Sequence, residues 1–244
     1  YVGREPRFYA SVAYNGSTWY LLNEQNDANK DKQIFYYRGG GNGYTNTMFW
    51  LRTGIGVMKF VHPDDTNRDE KEEYIRKKAE PAIRYAEILL IYAEALNELT
   101  GNYNIASWDE ETQYTIQRNI DEMKKGIQPI RIRAGIPDYT RSEYEDQDVF
   151  REKLKRERQI ELMGEGHRYY DIRRWKDAEV EESLPIYGCN TLMTEKWRDV
   201  FHVPVAIPSL PTNFSRKMYF WPISHSELKR NKMLTQNPGW TYND

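Results

Sequence analysis

The chain has 244 residues with 35 basic and 37 acidic side chains, and a formal charge of -2 excludes the strongly basic surface typical of nucleic-acid-binding proteins. Its single cysteine, Cys189, excludes an intrachain disulfide framework and a multi-thiolate metal site. No apolar run reaches membrane-spanning length. The length suits one domain or an intimate pair, and the aromatic content of 14% indicates either rings packed beneath long loops or a binding surface.

The first segment, residues 1–22, predicts a β-hairpin. Strand-like patterns at residues 8–14 and 17–22 flank the dipeptide Asn15-Gly16. Asn-Gly accepts positive φ at both central positions of a tight turn, which makes it a strong short-range hairpin signal.

Residues 23–78 form a polar, glycine-rich and aromatic segment, and long loops of this kind inside a domain are usually functional or disordered. The aromatic residues argue against disorder. A sugar ring presents an apolar face and a rim of hydroxyls, so a glycan-binding surface needs flat exposed rings with amide and guanidinium groups nearby. We therefore predict ligand contacts from Trp19, Tyr36, Tyr37, Asn42, Tyr44, Trp50 and Arg52. The alternative for each ring is that it packs the loop onto the helices.

No metal or cofactor is predicted. Residues 27–31 and 65–69 begin like calcium-binding loops, but Lys32 and Glu70 stand where the sharp turn requires glycine. Solvated loop charge is the favoured interpretation of both. The four histidines are too widely spaced in sequence to indicate a zinc hydrolase.

A helical core is predicted for residues 79–178. The apolar periodicity of residues 80–99 indicates a helix that begins near Pro81 and stops at Gly101. A more polar helix is predicted over 109–125 and a third over 142–163, with Ser142 and Glu145 as its capping box. A glycine-containing break then precedes a second short helix that reaches Trp175. Residues 179–244 are predicted to be irregular, with strands at 201–205 and 218–221.

Carboxylates and arginines alternate with apolar residues in this core instead of lying on one solvated face. Buried charges persist when they are paired and hydrogen-bonded, so a structural ion-pair network between helices is the favoured interpretation. Its predicted members are Arg84, Glu87, Glu94, Glu157, Arg158, Glu161, Glu165, Asp171 and Arg173. A glycan hydrolase with a carboxylate pair from residues 157–171 is the alternative, but the sequence does not give the separation that such chemistry requires. No catalytic residue is predicted.

Three stretches resemble one known family. Residues 84–95 (RYAEILLIYAEA) are similar to the RxAEIxLxYAEA helix of the SusD/RagB family of outer-membrane nutrient-binding lipoproteins, and residues 156–175 (RERQIELMGEGHRYYDIRRW) resemble its ERxxELxxEGxRxxDLRRW signature. Residues 234–240 (LTQNPGW) resemble its C-terminal motif. Residues 5–7 (EPR) resemble its DPR motif, with Glu5 in place of aspartate. The matches follow the family's order along nearly the whole chain.

The resemblance implies a mainly α fold, in which part of a tetratricopeptide-like helical superhelix carries a β-hairpin and long irregular loops. It implies that residues 1–244 are the C-terminal part of one SusD-like domain, which folds against its own N-terminal half and is anchored through a lipid outside this segment.

The resemblance also implies non-catalytic capture of oligosaccharides at the outer-membrane cell surface and their delivery to a TonB-dependent SusC-like transporter. A RagB-type peptide-capture protein is the alternative. Because the family's motifs are scaffold motifs, no ligand-binding residue is carried over from it.

Overall fold

The structure is a computed structural model and describes residues 1–19, 32–62, 64–68, 72–194, 197–208, 210 and 212–242. It divides the chain into two compact units. Unit 1 comprises Tyr1–Ile34 and Gly56–His167, and unit 2 comprises Phe35–Ile55 and Arg168–Asp244. The described residues are mainly helical with short two-stranded sheets, and the prediction of a mainly α fold is confirmed.

The helices are α1 (Pro6–Ser11), α2 (Tyr85–Asn97), α3 (Ile120–Arg133), α4 (Arg141–Glu145), α5 (Gln147–Glu161), α6 (His167–Arg174), α7 (Ala178–Glu181), α8 (Arg198–Phe201) and α9 (His225–Arg230), with a 3₁₀ turn at Arg216–Tyr219. The strands are β1 (Val12–Tyr14), β2 (Thr18–Trp19), β3 (Lys32–Gln33), β4 (Ile55–Val57), β5 (Thr66–Arg68), β6 (Glu72–Tyr74), β7 (Tyr103–Ala106), β8 (Gln113–Ile116), β9 (Tyr187–Gly188) and β10 (Val205–Ala206). They pair as β1–β4, β2–β3, β5–β6, β7–β8 and β9–β10.

The hairpin predicted for residues 1–22 is wrong in its pairing. The turn at Asn15-Gly16 is present, and the Ser17 amide donates to the Tyr14 carbonyl at 2.9 Å. However, β1 pairs with β4 and β2 pairs with β3, so the two flanking strands find partners distant in sequence. Half of the first predicted strand is helix α1, because Pro6 at the first helical position has its φ already set for a helix.

Helices α2, α3 and α5 enclose the core of unit 1. Its buried members are Ala86, Leu90, Ala93, Leu96, Met123, Ile127, Ile130, Tyr144, Phe150, Leu154 and Leu162. Helix α3 approaches α2 closely at Gly126, where an added Cβ would lie 2.8 Å from the Ala93 Cβ and closer still to the Leu89 carbonyl oxygen. Glycine is therefore required at this contact.

The helix predicted over residues 109–125 is wrong over residues 109–119 and correct from Ile120 onward. Residues 103–116 form an antiparallel hairpin of β7 and β8, and α3 starts only at Ile120, where the Asn119 side chain accepts from the Glu122 amide. Helix α3 then continues through Pro129. An internal proline costs roughly 3 kcal/mol. The turn that follows buries Ile130 and Ala134, and burial of one large aliphatic side chain contributes about 1.5–3 kcal/mol.

The region after α3 follows the expected order with shifted caps. The capping box consists of Thr140 and Glu143 at the start of α4, and Asp146 caps the separate helix α5. Ser142 and Glu145 therefore do not form the box. Gly164 and Gly166 both have positive φ, which ends the helical path before α6.

Unit 2 has a small core of Ile172, Ala178 and Phe214, against which Met218 and Tyr219 pack. The predicted strands at 201–205 and 218–221 are wrong, because Phe201 ends α8 and residues 216–219 form the 3₁₀ turn. Only Val205 belongs to a strand. Among the described residues, no helix has both the length and the apolar character needed to cross a membrane.

Candidate functional site

The glycine-rich run of unit 2 folds back over two tyrosines. The Gly40 amide donates to the Tyr37 carbonyl at 2.9 Å, and an added Cβ at Gly43 would collide with that same carbonyl oxygen. Tyr36 and Tyr37 are 9% and 6% exposed, and burial raises the pKa of Tyr36. Rings buried to this degree cannot stack on a ligand, so the structure removes both from the predicted contact set.

Tyr44 and Trp50 form a half-exposed aromatic pair immediately after this turn. Their rings meet edge to face with centroids 5.3 Å apart. The guanidinium of Arg38 lies 5.7 Å from the Tyr44 centroid, and that of Arg52 lies 5.8 Å from the Trp50 centroid. The Trp50 indole N–H donates to Thr191 Oγ1 at 2.9 Å, which fixes the ring. Flat rings flanked by guanidinium donors can stack on a sugar and bind its hydroxyls.

The other two predicted contacts, Asn42 and Trp19, belong to different units. Asn42 is exposed and bonds to the backbone of Phe35, beside the turn that carries Tyr44. Trp19 is half-exposed in strand β2 opposite Lys32 and belongs to unit 1, whereas the remaining candidates belong to unit 2. We define the aromatic cluster as Arg38, Asn42, Tyr44, Trp50 and Arg52.

Unit 1 contains three neighbouring carboxylates, those of Glu157 and Glu161 on α5 and of Glu165 just after it. We call these residues, with the side chains that bind them, the carboxylate cluster. Glu157 is 1% exposed, and its two oxygens accept from Arg7 Nη1 at 2.7 Å and from Arg131 Nη1 at 2.6 Å. The Tyr139 hydroxyl adds a third bond at 3.1 Å, and burial first, with the Glu157 charge second, raises the pKa of Tyr139. The charge of this buried carboxylate is thus balanced by two arginines from separate elements.

Glu161, one turn further along, accepts from Arg7 at 3.2 Å, from Arg84 at 3.0 Å and from Arg133. Burial raises the pKa of Glu161, but these arginines outweigh it and the net pKa is lowered.

Glu165 receives Arg84 through Nε at 2.7 Å and Nη2 at 2.7 Å, together with the ammonium of Lys59. Burial likewise opposes the net lowering of the Glu165 pKa by Arg84 and Lys59. The hydrogen bonds to Glu165 raise the pKa of Arg84 against the effect of burial.

The structure gives the following positions for the remaining predicted members of the network. Glu87 faces His167, with Oε1 3.4 Å from Nδ1. Asp171 pairs with Arg174 at 2.8 Å, and Arg173 pairs with Glu182 at 3.0 Å, both within unit 2. Arg158 is buried, and Glu94 is half-buried on α2.

Five partners of Glu157, Glu161 and Glu165 were absent from the predicted network, namely Arg7, Lys59, Arg131, Arg133 and Tyr139. The EPR motif at residues 5–7 was the available signal for Arg7, whose Nε also binds Glu5 at 2.7 Å. Nothing local to Lys59 or Tyr139 indicates a distant carboxylate. Trp108, almost fully exposed, was also missed, because the residues that follow it were predicted to be helical and no hairpin was expected around it.

The candidate cation loops give no site in the described chain. Residues 27–31 lie outside the described residues. Asp65 binds the Lys78 ammonium, which is the main reason its pKa is lowered to about 2. No group of three or more potential metal ligands occurs among the described residues.

The model of the SusD family, which also includes RagB proteins, matches residues 1–240. The chain belongs to the SusD family. Members of this family are generally non-catalytic proteins that capture glycan nutrients. Over 162 residues the chain is 31% identical to SusD-like protein P2 of Formosa agariphila, a match that covers 65% of this chain and 25% of that protein.

Two solved structures show the same architecture. The selenomethionine form of BT4246 superposes with a TM-score of 0.78 at 24% identity, over 98% of this chain and 38% of that one. A SusD-like protein of Bacteroides fragilis NCTC 9343 superposes with a TM-score of 0.67 at 26% identity, over 98% and 40%. The predicted tetratricopeptide-like helical fold of the SusD family is thereby confirmed. The chain spans about a quarter of the length of the curated relative that it matches.

Proposed function

We propose that the protein is a non-catalytic, lipid-anchored capture protein of the outer-membrane cell surface, which binds oligosaccharides and delivers them to a TonB-dependent SusC-like transporter. The observation that carries this proposal is the SusD-family match over residues 1–240. The curated relative from Formosa agariphila is itself described as SusD-like.

The aromatic cluster of unit 2 is the proposed glycan contact. Tyr44 and Trp50 present fixed, half-exposed rings, and Arg38, Asn42 and Arg52 place hydrogen-bond donors beside them. A few stacked rings give modest affinity, and multivalent engagement or closure against a transporter would supply the rest.

The carboxylates of residues 157–171 favour a structural role over hydrolysis. A glycosidase needs one carboxylic acid that stays protonated through a raised pKa. The pKa values of Glu161 and Glu165 are lowered instead, and Glu157 and Asp171 are held by arginines. Glu161 and Glu165 are thus arranged to remain ionised, and all four carboxylates are paired with cations.

Affinity gel electrophoresis against a panel of polysaccharides tests the proposal, followed by titration calorimetry with oligosaccharides of the glycan that retards the protein. Trp50→Ala removes the fixed ring, and we expect affinity to fall about tenfold, equivalent to 1.4 kcal/mol. Trp221→Ala is the matched control, because Trp221 is an exposed tryptophan outside the cluster. Its affinity should equal that of the wild type.

Three results would contradict parts of the proposal. Shorter saccharides appearing during incubation would show catalysis. Retention on a peptide array without retardation by any glycan would favour the RagB-type function. Equal glycan affinity of Trp50→Ala and Trp221→Ala, with unchanged thermal midpoints, would remove the aromatic cluster from the site.

A further inference from the structure

A two-stranded hairpin, residues 103–116, connects helices α2 and α3 of unit 1. Strands β7 and β8 pair antiparallel with Tyr103 opposite Ile116 and Ile105 opposite Tyr114. Residues directly opposite in an antiparallel pair share a face. This places Tyr103, Ile105, Tyr114 and Ile116 on one face, which we call the apolar face.

The apolar face is largely uncovered. Tyr103, Ile105 and Tyr114 are 45%, 47% and 52% exposed. The opposite face is polar, and the Thr115 hydroxyl donates to Asn104 Oδ1 across it at 2.7 Å. A lone two-stranded hairpin is only marginally stable in water. A hairpin with one apolar face in solvent is therefore typical of an element that another surface covers.

The tip of the hairpin holds Trp108 in solvent at 95% exposure. The turn around it is ordered by hydrogen bonds. The Ser107 amide donates to the Thr112 carbonyl at 2.7 Å, the Glu110 amide donates to the Ser107 carbonyl at 3.0 Å, and the Thr112 amide donates to Ser107 Oγ at 3.0 Å. Glu110 adopts a φ of 62°, a conformation that costs a non-glycine residue energy. The indole is thus presented by a constrained turn.

The tip is strongly acidic. Asp109, Glu110 and Glu111 follow Trp108 directly, and residues 103–116 contain no lysine or arginine. Within the described chain, none of the three carboxylates forms an ion pair. A hydrogen bond from Ser107 is the main cause of a lowered pKa for Asp109, so this carboxylate is ionised at neutral pH. Three uncompensated negative charges therefore surround an exposed indole.

We propose that this hairpin is a docking element for a basic segment of a partner protein. Lysine or arginine side chains of that segment would lie over the Trp108 ring as cation–π contacts and pair with the three tip carboxylates, while its apolar side chains cover the apolar face. Tryptophan is the residue type most enriched among interface residues that dominate binding energy. The proposal is independent of the glycan contact assigned to unit 2.

Charge complementarity favours a basic protein over a glycan. A neutral sugar leaves the three carboxylates uncompensated, and an acidic sugar is repelled by them. Sugar stacking also gives no role to the aliphatic side chains of Ile105 and Ile116. A basic, partly apolar polypeptide uses the indole, the charges and the apolar face together.

The probe for this test is a fluorescein-labelled peptide of four alternating Lys-Leu pairs, which in an extended conformation presents lysines on one side and leucines on the other. Fluorescence anisotropy measures its affinity for the protein. We expect Trp108→Ala to bind about tenfold more weakly than the wild type and Trp221→Ala to bind equally well. Because both tryptophans are mostly exposed, thermal midpoints should stay unchanged in both variants.

A charge-matched pair of variants separates docking from general attraction. Glu110→Gln/Glu111→Gln removes two tip charges, and Glu80→Gln/Glu179→Gln removes two exposed charges elsewhere. The tip variant should lose affinity and show a weaker salt dependence, while the control variant should retain both. Equal loss in both would overturn the proposal. Unchanged affinity of Trp108→Ala for the peptide would also overturn the proposal. This holds whether or not the variant loses its retardation by a neutral polysaccharide in the affinity gel.

Discussion

Removal of the Glu157 carboxylate should destabilise unit 1 more than any surface charge change. Glu157→Ala deletes the acceptor of bonds from Arg7 at 2.7 Å, Arg131 at 2.6 Å and Tyr139 at 3.1 Å. It leaves two guanidinium groups without this partner in a largely buried site, and their side chains are only 14% exposed. The variant therefore combines lost hydrogen bonds with uncompensated buried charge.

The magnitude follows from the number and burial of these bonds. A hydrogen bond to a charged group contributes about 1.5–3 kcal/mol, and breaking a buried pair by removing one partner costs about 3–5 kcal/mol. Arg7 retains Glu5 and Glu161 as partners, which reduces the loss. We expect the free energy of unfolding to fall by about 3 kcal/mol. For a chain of this size the thermal midpoint should then drop by roughly 6–12 °C.

Urea unfolding followed by circular dichroism measures this change, with the slope m checked for constancy. Glu152→Gln is the control on the same helix, because Glu152 is exposed and pairs with Lys155 one turn away at 3.2 Å. Exposed pairs of this kind contribute about 0–1 kcal/mol. If Glu157→Ala loses no more stability than Glu152→Gln, the contacts of Glu157 with Arg7, Arg131 and Tyr139 do not stabilise the fold, and this prediction is wrong.

Two further predictions concern the same unit. Gly126→Ala should lower the thermal midpoint despite the higher helix propensity of alanine, because the added Cβ would lie 2.8 Å from the Ala93 Cβ. Gly101→Ala is the control. Its added Cβ has nothing within 4 Å, so the midpoint should stay nearly unchanged. The free energy of unfolding should also decrease as the pH is lowered. The folded-state pKa values of Glu161 and Glu165 are lowered, so their pairs stabilise fully above the unfolded value of about 4.3 and lose this effect as pH falls through the folded-state pKa. Glu161→Gln should therefore flatten the decline in thermal midpoint between pH 5 and pH 3, and an unchanged slope would contradict this assignment.

Elements set by local interactions were predicted correctly, and those that depend on distant segments were not. Helix α2 follows from its own apolar period, although it spans Tyr85–Asn97 and does not begin near Pro81 as predicted. The break before α6 follows from Gly164 and Gly166, both of which have positive φ. The pairing of β1 with β4 depends on residues about forty positions apart, which no local pattern encodes. The hairpin prediction therefore placed the turn correctly and the strand partners incorrectly.

Helix α3 shows that tertiary contacts can override local stop signals. Gly126 and Pro129 are local stop signals, and the helix predicted over residues 109–125 ends just before them. In the folded chain Gly126 allows close contact with α2, and the helix continues past Pro129 to bury Ile130. A glycine that terminates a helix and one that permits close packing look alike until the neighbouring helix is in place.

The sequence by itself determined the family resemblance, the mainly α character and the recurrence of acidic residues on α5, because each is written in contiguous motifs. Only the tertiary structure decided which cations meet those acids and which aromatic rings reach solvent. Arg7 and Lys59 reach Glu157 and Glu165 from over a hundred residues away, and Tyr37 is buried whereas Tyr44, seven residues later, is half-exposed. Burial and ion pairing depend on distances between segments, and spacing along the chain does not specify those distances.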